Sequence, residues 1–171
     1  MARQKAKKAN QAEVARAINA LRRMVRGLRA AAEAVERDLR ISAAQLFVLT
    51  ELSQSPEQSV KDLAAVTMTT HSTVSEVVSQ LLAKGLVTRS VDPSDARRSV
   101  LRLTRQGSTL LRRSPRAIQH DLIEGFFKLR ATEQRNLANG LEKWLEASGL
   151  GAVPSSMLFD KPVLKRRNSQ K

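Results

Sequence analysis

Few side chains in this sequence are suited to covalent or metal chemistry. The 171 residues include two histidines, His71 and His120, and no cysteine. Without cysteine there is no disulfide, no Cys-ligated zinc and no thiol nucleophile, and two isolated histidines lack the spacing of a zinc site. No glycine-rich phosphate-binding motif is present. The sequence therefore argues against an enzyme, and it predicts no cofactor and no metal site.

The remaining titratable pairs have simpler explanations than catalysis. His120 and Asp121 are neighbours on a predicted helix, where adjacent side chains point apart, so we expect them to pack at a surface or an interface. Asp92 and Asp95 could bind a cation, but formation of a turn and pairing with arginine account for both.

Non-covalent recognition is better supported, by one amphipathic helix. Thr70 is a suitable N-cap, Lys84 and Gly85 suit a helix C-terminus, and the apolar residues between them recur at three- and four-residue spacing. The apolar face contains Val74, Val77, Val78, Leu81 and Leu82. The polar side chains of the other face are short enough to approach base edges in a DNA groove. Together with the N-cap residue Thr70, the residues of this polar face are His71, Ser72, Thr73, Ser75, Glu76, Ser79 and Gln80.

The segments around this helix complete a recognisable pattern. Ser59 with Asp62 predicts a capped short helix that ends at Val66, so residues 67–70 become the turn of a helix-turn-helix. Residues 86–91 and 99–104, rich in β-branched side chains, predict the two strands of a hairpin. The arginines of its loop would often be merely solvated, but the preceding helix pair favours a wing that contacts DNA.

These motifs resemble, in order and spacing, those of the MarR family of bacterial transcription regulators, over roughly residues 12–148. The matching motifs are Ile41 to Gln45, Val48-Leu49, Leu52, Leu63-Ala64, Ser72 to Ser75, Leu81, Lys84 to Val87, Asp95 to Arg97 and Leu103 to Gly107. One departure is Glu76, where the family often has a basic or neutral residue; a carboxylate disfavours a phosphate contact and suits the amino group of cytosine.

The resemblance assigns roles to the wing. Arg97 matches the arginine that reaches the minor groove, and Asp95 matches the carboxylate that orients it. We expect Arg98 to contact phosphate, and Arg89 completes the predicted DNA-binding set.

Outside the winged helix the pattern is helical. A first helix has a heptad-like seam, and Ser42 with Gln45 predicts a capping box for a second helix that ends near Leu52. After the wing, residues 105–129 predict one helix kinked at Pro115, and a last helix should open at Thr132 and end near residues 148–149. The seam contains Val14, Ile18, Leu21, Val25, Leu28, Ala32, Val35 and Leu39.

In the MarR family the first helix and the last two form a dimer, and the resemblance implies the same here; an intrachain bundle is the alternative. The implied interface residues are Val14, Ile18, Leu21, Val25, Leu28, Phe126, Phe127, Leu137, Leu141, Trp144 and Leu145. The expected fold is mainly α with a small β-hairpin wing. We divide the chain into a basic tail (1–10), a MarR-like domain (11–148, with 11–40 and 105–148 as dimerisation helices and 41–104 as the winged helix-turn-helix) and a second basic tail (149–171).

Charge independently favours an anionic partner. The chain has 30 Lys and Arg against 16 Asp and Glu, a formal charge of +14 and a pI near 11.3. Residues 1–10 and 159–171 each contribute +4, leaving +6 between them. Such tails add affinity without sequence specificity, and they would also suit RNA or an anionic membrane surface. No apolar run approaches the ~20 residues that span a membrane, so the cytoplasm is the expected location.

We therefore expect a homodimeric regulator, a repressor, that binds an inverted-repeat operator in double-stranded DNA. Alternatives are an architectural, weakly sequence-specific DNA-binding protein and a helical protein-interaction adaptor. The resemblance also implies release by a small ligand, commonly an anionic aromatic compound. The pocket would be lined by Leu28, Ala32, Val35, Leu46, Phe47, Leu110 and Leu111, for which plain core packing is the alternative.

Overall fold

A computed structural model describes residues 2–92 and 95–153 of the chain, and these residues form seven helices and one antiparallel two-stranded sheet. The elements in order are α1 (Ala2–Leu39), α2 (Ala43–Gln54), α3 (Val60–Val66), α4 (His71–Ala83), β1 (Val87–Asp92), β2 (Asp95–Leu103), α5 (Arg105–Leu111), α6 (Ile118–Phe127) and α7 (Ala131–Ala147). The predicted fold class, mainly helical with a hairpin wing, is confirmed. No helix among these residues is long and apolar enough to cross a membrane.

The first helix is longer than predicted. α1 has 38 residues, which corresponds to a length of about 57 Å at 1.5 Å per residue. It begins at Ala2, so most of the segment predicted as an N-terminal tail is a helical extension instead. This segment is rich in alanine and lysine and has no glycine or proline before Gly27, which favours helix over an irregular arm. The C-terminal tail from residue 154 lies outside the described residues.

The core is built around α2. Nine of its 12 residues are buried, and the predicted capping box is confirmed: Gln45 N donates to Ser42 Oγ at 3.1 Å, and Ser42 N donates to Gln45 Oε1 at 3.2 Å. The fully buried large side chains are Leu46, Leu49, Leu52, Leu63, Leu81, Leu101, Val48, Val74, Val77, Val78 and Val100. All eleven come from α2, α3, α4 and β2, so the winged helix has one continuous core.

The helix-turn-helix also matches its prediction. Asp62 N donates to Ser59 Oγ at 3.2 Å at the start of α3, and Thr73 N donates to Thr70 Oγ1 at 3.3 Å at the start of α4. α4 ends where Gly85 adopts a φ of +66°, a left-handed conformation that glycine takes without strain. The expected limits of both helices agree with the structure to within a residue.

The wing differs from its prediction in the length of one strand. β1 pairs with β2 from Val87–Leu103 to Val91–Ser99, and β2 begins at Asp95 instead of residue 99. The base of the hairpin is joined to the segment before α3, because Leu101 N donates to the carbonyl oxygen of Gln58 at 2.9 Å. Residues 93 and 94 of the predicted loop lie outside the described residues.

After the wing, the single kinked helix that the sequence predicted is two helices. α5 ends at Leu111 and α6 begins at Ile118, so Pro115 lies in a connecting segment. Proline has no N–H to donate, and its ring disfavours the helical conformation of the preceding residue, Ser114. Ala117 is buried at the start of α6 and anchors this turn in the core.

The last helix begins one residue earlier than predicted. Arg130 N donates to Glu133 Oε2 at 2.9 Å, so Glu133 supplies the capping contact expected from the neighbourhood of Thr132. α7 ends at Ala147, and Gly149 follows with a φ of +71°.

Gly107 allows a test of how closely α5 approaches the wing. A Cβ added there would overlap the backbone carbonyl oxygen of Leu86, whereas a Cβ at Gly27 in α1 meets no described atom within 4 Å. We expect Gly107→Ala to destabilise the protein by about 1–3 kcal/mol, and Gly27→Ala to stabilise it by about 0.5–1 kcal/mol. Thermal unfolding followed by circular dichroism measures both. Equal effects of the two substitutions would contradict the close approach.

Candidate nucleic-acid interface

One face of α4 is fixed in the core and the other is open. Val74, Val77 and Val78 are fully buried, while His71 and Ser72 are exposed. The predicted polar face is thus turned outward at its N-terminal end. Of the other residues predicted there, Thr70 and Ser79 are exposed, and Thr73, Ser75 and Glu76 are partly buried.

Hydroxyl groups cluster at the N-terminus of α4. Thr70 Oγ1 lies 3.0 Å from Ser72 Oγ and 2.9 Å from Thr73 Oγ1. Each hydroxyl can donate and accept, and the helix N-terminus adds free N–H groups with a partial positive charge. This end of α4 is therefore equipped to bind phosphate oxygens or base edges.

Gln80 departs from the expectation that it lies on the open face. Gln45 Nε2 donates to Gln80 Oε1 at 2.6 Å, and Gln45 itself is buried in the capping box of α2. The contact ties the last turns of α4 to α2. Gln80 is therefore partly buried against α2, and its side-chain oxygen is engaged within the protein.

A groove separates α4 from the wing. Its volume is about 580 Å³, and its walls come from the start of α3, from α4 and from both strands. The lining residues are Ser59, Val60, Lys61, Asp62, His71, Ser75, Arg89, Asp95, Arg97, Arg98 and Ser99. Four of these residues are Lys or Arg and two are Asp, so the groove has an excess of positive charge.

The resemblance implied that the Asp95 carboxylate orients Arg97, and the contact that the structure shows is with the backbone N–H of Arg97. Arg97 N donates to Asp95 Oδ1 at 2.9 Å, so the carboxylate fixes the backbone of the loop. The side chain of Arg97 is exposed, as is that of Arg89. The wing thus presents two solvated arginines beside the open end of α4.

Arg98, predicted to contact phosphate, is engaged within the protein. Its Nη2 lies 2.6 Å from Asp62 Oδ2, and its Nη1 lies 3.3 Å from Asp92 Oδ2. The pKa of Asp62 is lowered to about 2 from its ordinary 3.8, first by the N–H of Ser59, then by the Ser59 hydroxyl and by Arg98. Sequence reasoning missed this contact because 36 residues separate the two partners.

The predicted dimer residues are largely uncovered within the chain. None of the residues of α7 is buried, and Leu145 and Val14 keep 48% and 56% of their surface exposed. Leu21, Val25, Phe127, Leu137, Leu141 and Trp144 are also exposed, and Ile18 and Phe126 are partly buried. Leu28 differs, because it is already buried inside the chain. The described helices therefore do not close into the intrachain bundle that was the alternative.

The residues predicted to line a ligand pocket pack into the core. Val35, Leu46 and Phe47 belong to the main buried cluster, and Leu110 and Leu111 pack against it. Leu28 is buried and Ala32 is partly buried on the same helix.

His120 is partly buried, with 17% of its side chain exposed. Its Nε2 is 2.9 Å from Glu51 Oε1, and its ring meets that of Phe47 edge to face at 5.0 Å between centroids. This polar contact joins α2 to α6, and no local pattern reveals it because Glu51 and His120 are far apart in the sequence.

Comparison with known proteins agrees with this geometry. The sequence model of the MarR family matches residues 41–99, which include the helix-turn-helix and much of the wing. No curated protein matches the chain.

Several solved structures are similar to this chain. The transcriptional regulator BldR from Sulfolobus solfataricus is 24% identical, with a TM-score of 0.52 over 79% of this chain and 96% of that one. A MepR-like protein complexed with pseudoligands is 20% identical, with a TM-score of 0.52 over 77% and 94%. The PcaV transcriptional regulator from Streptomyces coelicolor, in complex with its natural ligand, is 28% identical, with a TM-score of 0.47 over 73% and 91%. The first two show that the fold is shared.

The lowered pKa of Asp62 leads to a pH-dependent prediction. The Asp62 carboxyl binds its proton less tightly in the folded state than in the unfolded state. The ionised carboxylate therefore stabilises the fold fully above the ordinary pKa of 3.8, and this contribution is lost as the pH falls to about 2. We expect Asp62→Asn to lower the melting temperature at pH 5 and to lower it much less at pH 2. Thermal unfolding of both proteins at the two pH values tests this. If the melting temperatures of wild type and Asp62→Asn differ by the same amount at pH 2 as at pH 5, the charge of the carboxylate is not what stabilises the fold.

Proposed function

We propose that the protein is a homodimeric, sequence-specific DNA-binding repressor of the MarR family, whose family model matches residues 41–99. The observation that carries this proposal is the division of α4 into a core face, with Val74 and Val77 fully buried, and an open polar face beside a groove rich in arginine.

In the proposed complex, α4 enters the major groove. Its N-terminal residues Ser72, Thr73, Ser75 and Glu76 meet base edges, because helix-turn-helix proteins read bases mainly with the N-terminal part of this helix. Arg97 and Arg89 lie on the wing, where Arg97 would reach the adjacent minor groove. The charge of the chain, +14, adds a non-specific attraction to the phosphates.

Dimerisation is the second part of the proposal. The exposed apolar residues of α1 and α7 make a surface that a single copy leaves in water, and burial of apolar area contributes about 25 cal/mol per Å². Two copies related by a twofold axis would present two α4 helices to an inverted repeat. The dimerisation region is then α1 with α5, α6 and α7, and the reading region is residues 41–104.

Release by a small ligand is the third part. Lys84 Nζ, one residue beyond α4, donates to the carbonyl oxygen of Arg40 at the end of α1 at 2.8 Å. This contact links the end of α1 to α4, and in the proposal an effector that holds the two α4 helices of the dimer at the wrong separation weakens operator binding. Its pocket would have to open between α1, α2 and α5, near Phe47 and Leu110.

Titration of benzoate or salicylate against a protein–operator complex tests this third part. Release of the DNA together with a thermal shift would support it. The absence of both effects would leave a repressor controlled by its own abundance.

Two other functions make different predictions. An architectural DNA-binding protein would bind random duplex as tightly as any selected duplex, and a protein-interaction adaptor would bind no duplex tightly. A specific regulator should prefer its operator by ~10³-fold or more at physiological salt.

A substitution in α4 separates reading from folding. Ser72→Glu places an acid against the DNA phosphates but in the first turn of α4, where a negative charge is tolerated. We expect operator binding to be lost while the melting temperature stays within a few degrees of wild type. Ser53→Glu, the same charge change at an exposed site at the end of α2, is the control and should retain binding. A parallel loss of stability in Ser72→Glu would place the residue in the core.

A substitution in α7 tests the dimer. Leu141→Glu puts a charge into the exposed apolar face, so we expect a monomer in sedimentation equilibrium at micromolar concentration, with weakened operator binding. Asn139→Glu makes the same charge change on the opposite face of α7 and should leave the dimer intact. A dimer that survives Leu141→Glu would exclude this face from the interface.

A further inference from the structure

Three contacts hold β2 against α3 and the segment that leads into it. Near the base of the wing, Arg102 Nη2 lies 2.6 Å from Glu57 Oε1, and Leu101 N donates to the Gln58 carbonyl oxygen at 2.9 Å. Nearer the tip, Arg98 reaches Asp62 at the start of α3. The base is therefore held by a backbone hydrogen bond as well as an ion pair, whereas the ion pair described between the tip and α3 is made by Arg98.

The carboxylate that receives Arg98 is already held in place. Asp62 Oδ2 accepts from Ser59 N at 2.9 Å and from Ser59 Oγ at 2.8 Å, as part of the capping box of α3. Arg98 also contacts Asp92, whose side chain is only 12% exposed at the end of β1. One guanidinium thus joins β2, β1 and α3.

We propose that Arg98 and Asp62 form a latch that positions the wing for DNA, so that both are positioning residues and neither contacts phosphate. This inference rests on the proposed DNA-binding function. Arg97 directly precedes Arg98, so the latch fixes the backbone from which the exposed Arg97 side chain extends. Holding a loop in its bound conformation reduces the entropy lost on binding.

Electrostatics also favours the latch over a phosphate contact. Arg98 lies between two carboxylates, Asp62 and Asp92, so this cluster carries a net charge of −1. A DNA phosphate approaching Arg98 would meet two negative groups at short range. The lowered pKa of Asp62 keeps that carboxylate charged throughout the neutral range.

The sign of the effect of Asp62→Asn distinguishes the two roles. If Arg98 gripped phosphate, removing the competing carboxylate would free the guanidinium and tighten DNA binding. If Arg98 and Asp62 form a latch, the same change should weaken binding, by about two- to tenfold. Asparagine keeps an oxygen for the Ser59 N–H, so the cap of α3 is largely retained. Fluorescence anisotropy with a duplex selected by the protein from genomic fragments measures the affinity.

The salt dependence of DNA binding is a second measurement, because the loss of a positioning residue leaves it unchanged. Loss of one phosphate contact lowers the slope of log K against log salt concentration by about 1. We expect Arg98→Gln to weaken binding with an unchanged slope. Tighter binding of Asp62→Asn, or a slope lowered by about 1 in Arg98→Gln, would overturn the proposal.

Glu57→Gln is the matched control. It makes the same charge change in the same segment and breaks an ion pair with the same strand, but the backbone bond at Gln58 remains. We expect its affinity to stay within about twofold of wild type.

Hydrogen exchange of the free protein tests the latch without DNA. Asp62→Asn should speed exchange of the β1 and β2 amides near Val91 and Ser99, and Glu57→Gln should not. Unchanged exchange in Asp62→Asn overturns the latch. If the wild-type protein binds no duplex, the proposed DNA-binding function fails, and hydrogen exchange alone still decides whether the latch exists.

Discussion

Burial of α2 on nearly all sides is the constraint on which the winged helix depends. Leu46, Val48, Leu49 and Leu52 are at most 1% exposed, so α2 presents apolar side chains in several directions at once. α3, α4, β2 and the end of α1 must each turn their apolar face toward it. For α4 this leaves one outcome, in which the valines point inward and the hydroxyl side chains point outward. The polar face of the proposed reading helix is therefore a consequence of how the core is filled.

The same core joins the two parts of the proposed mechanism. α1 continues from the uncovered apolar seam to the winged helix, where Val35 is buried with α2 and Arg40 receives a hydrogen bond from Lys84. The Glu51–His120 contact makes a second connection, between α2 and α6. Both connections run from the helices proposed to dimerise into the module proposed to bind DNA. In the proposed mechanism, these are the contacts through which a change in the dimer would alter the separation of the reading helices.

Local features of this fold were predictable from the sequence, and long-range polar contacts were not. The caps at Ser42, Ser59 and Thr70 are set by residues two or three positions apart, and the apolar period of α4 is set within a single helix. The contacts Arg98–Asp62 and Gln80–Gln45 join residues about 35 positions apart, and pattern alone cannot distinguish such a contact from exposure on a surface.

Two of the boundaries that differed from prediction have their reasons in local energetics. Proline at position 115 broke a helix that periodicity continued through, because the hydrogen bond and the steric space that it removes outweigh a continuous apolar pattern. At the N-terminus, charge suggested a tail, but the helix propensity of alanine and lysine extended α1 to Ala2. Net charge therefore did not predict the backbone conformation of this segment, whereas the helix propensities of its residues did.

If two copies of α4 bind DNA together, the affinity must depend on the spacing of the two half-sites. In a twofold dimer of helix-turn-helix modules, the half-site centres lie about one helical turn apart, roughly 34–36 Å. From a selected operator, duplexes are made with about five or about ten extra base pairs between the half-sites, which turn one half-site to the opposite face or back to the same face. We expect the five-base-pair insertion to abolish tight binding in a footprinting titration. A protein that binds the five-base-pair variant, or a single half-site, as tightly as the intact operator would contradict it.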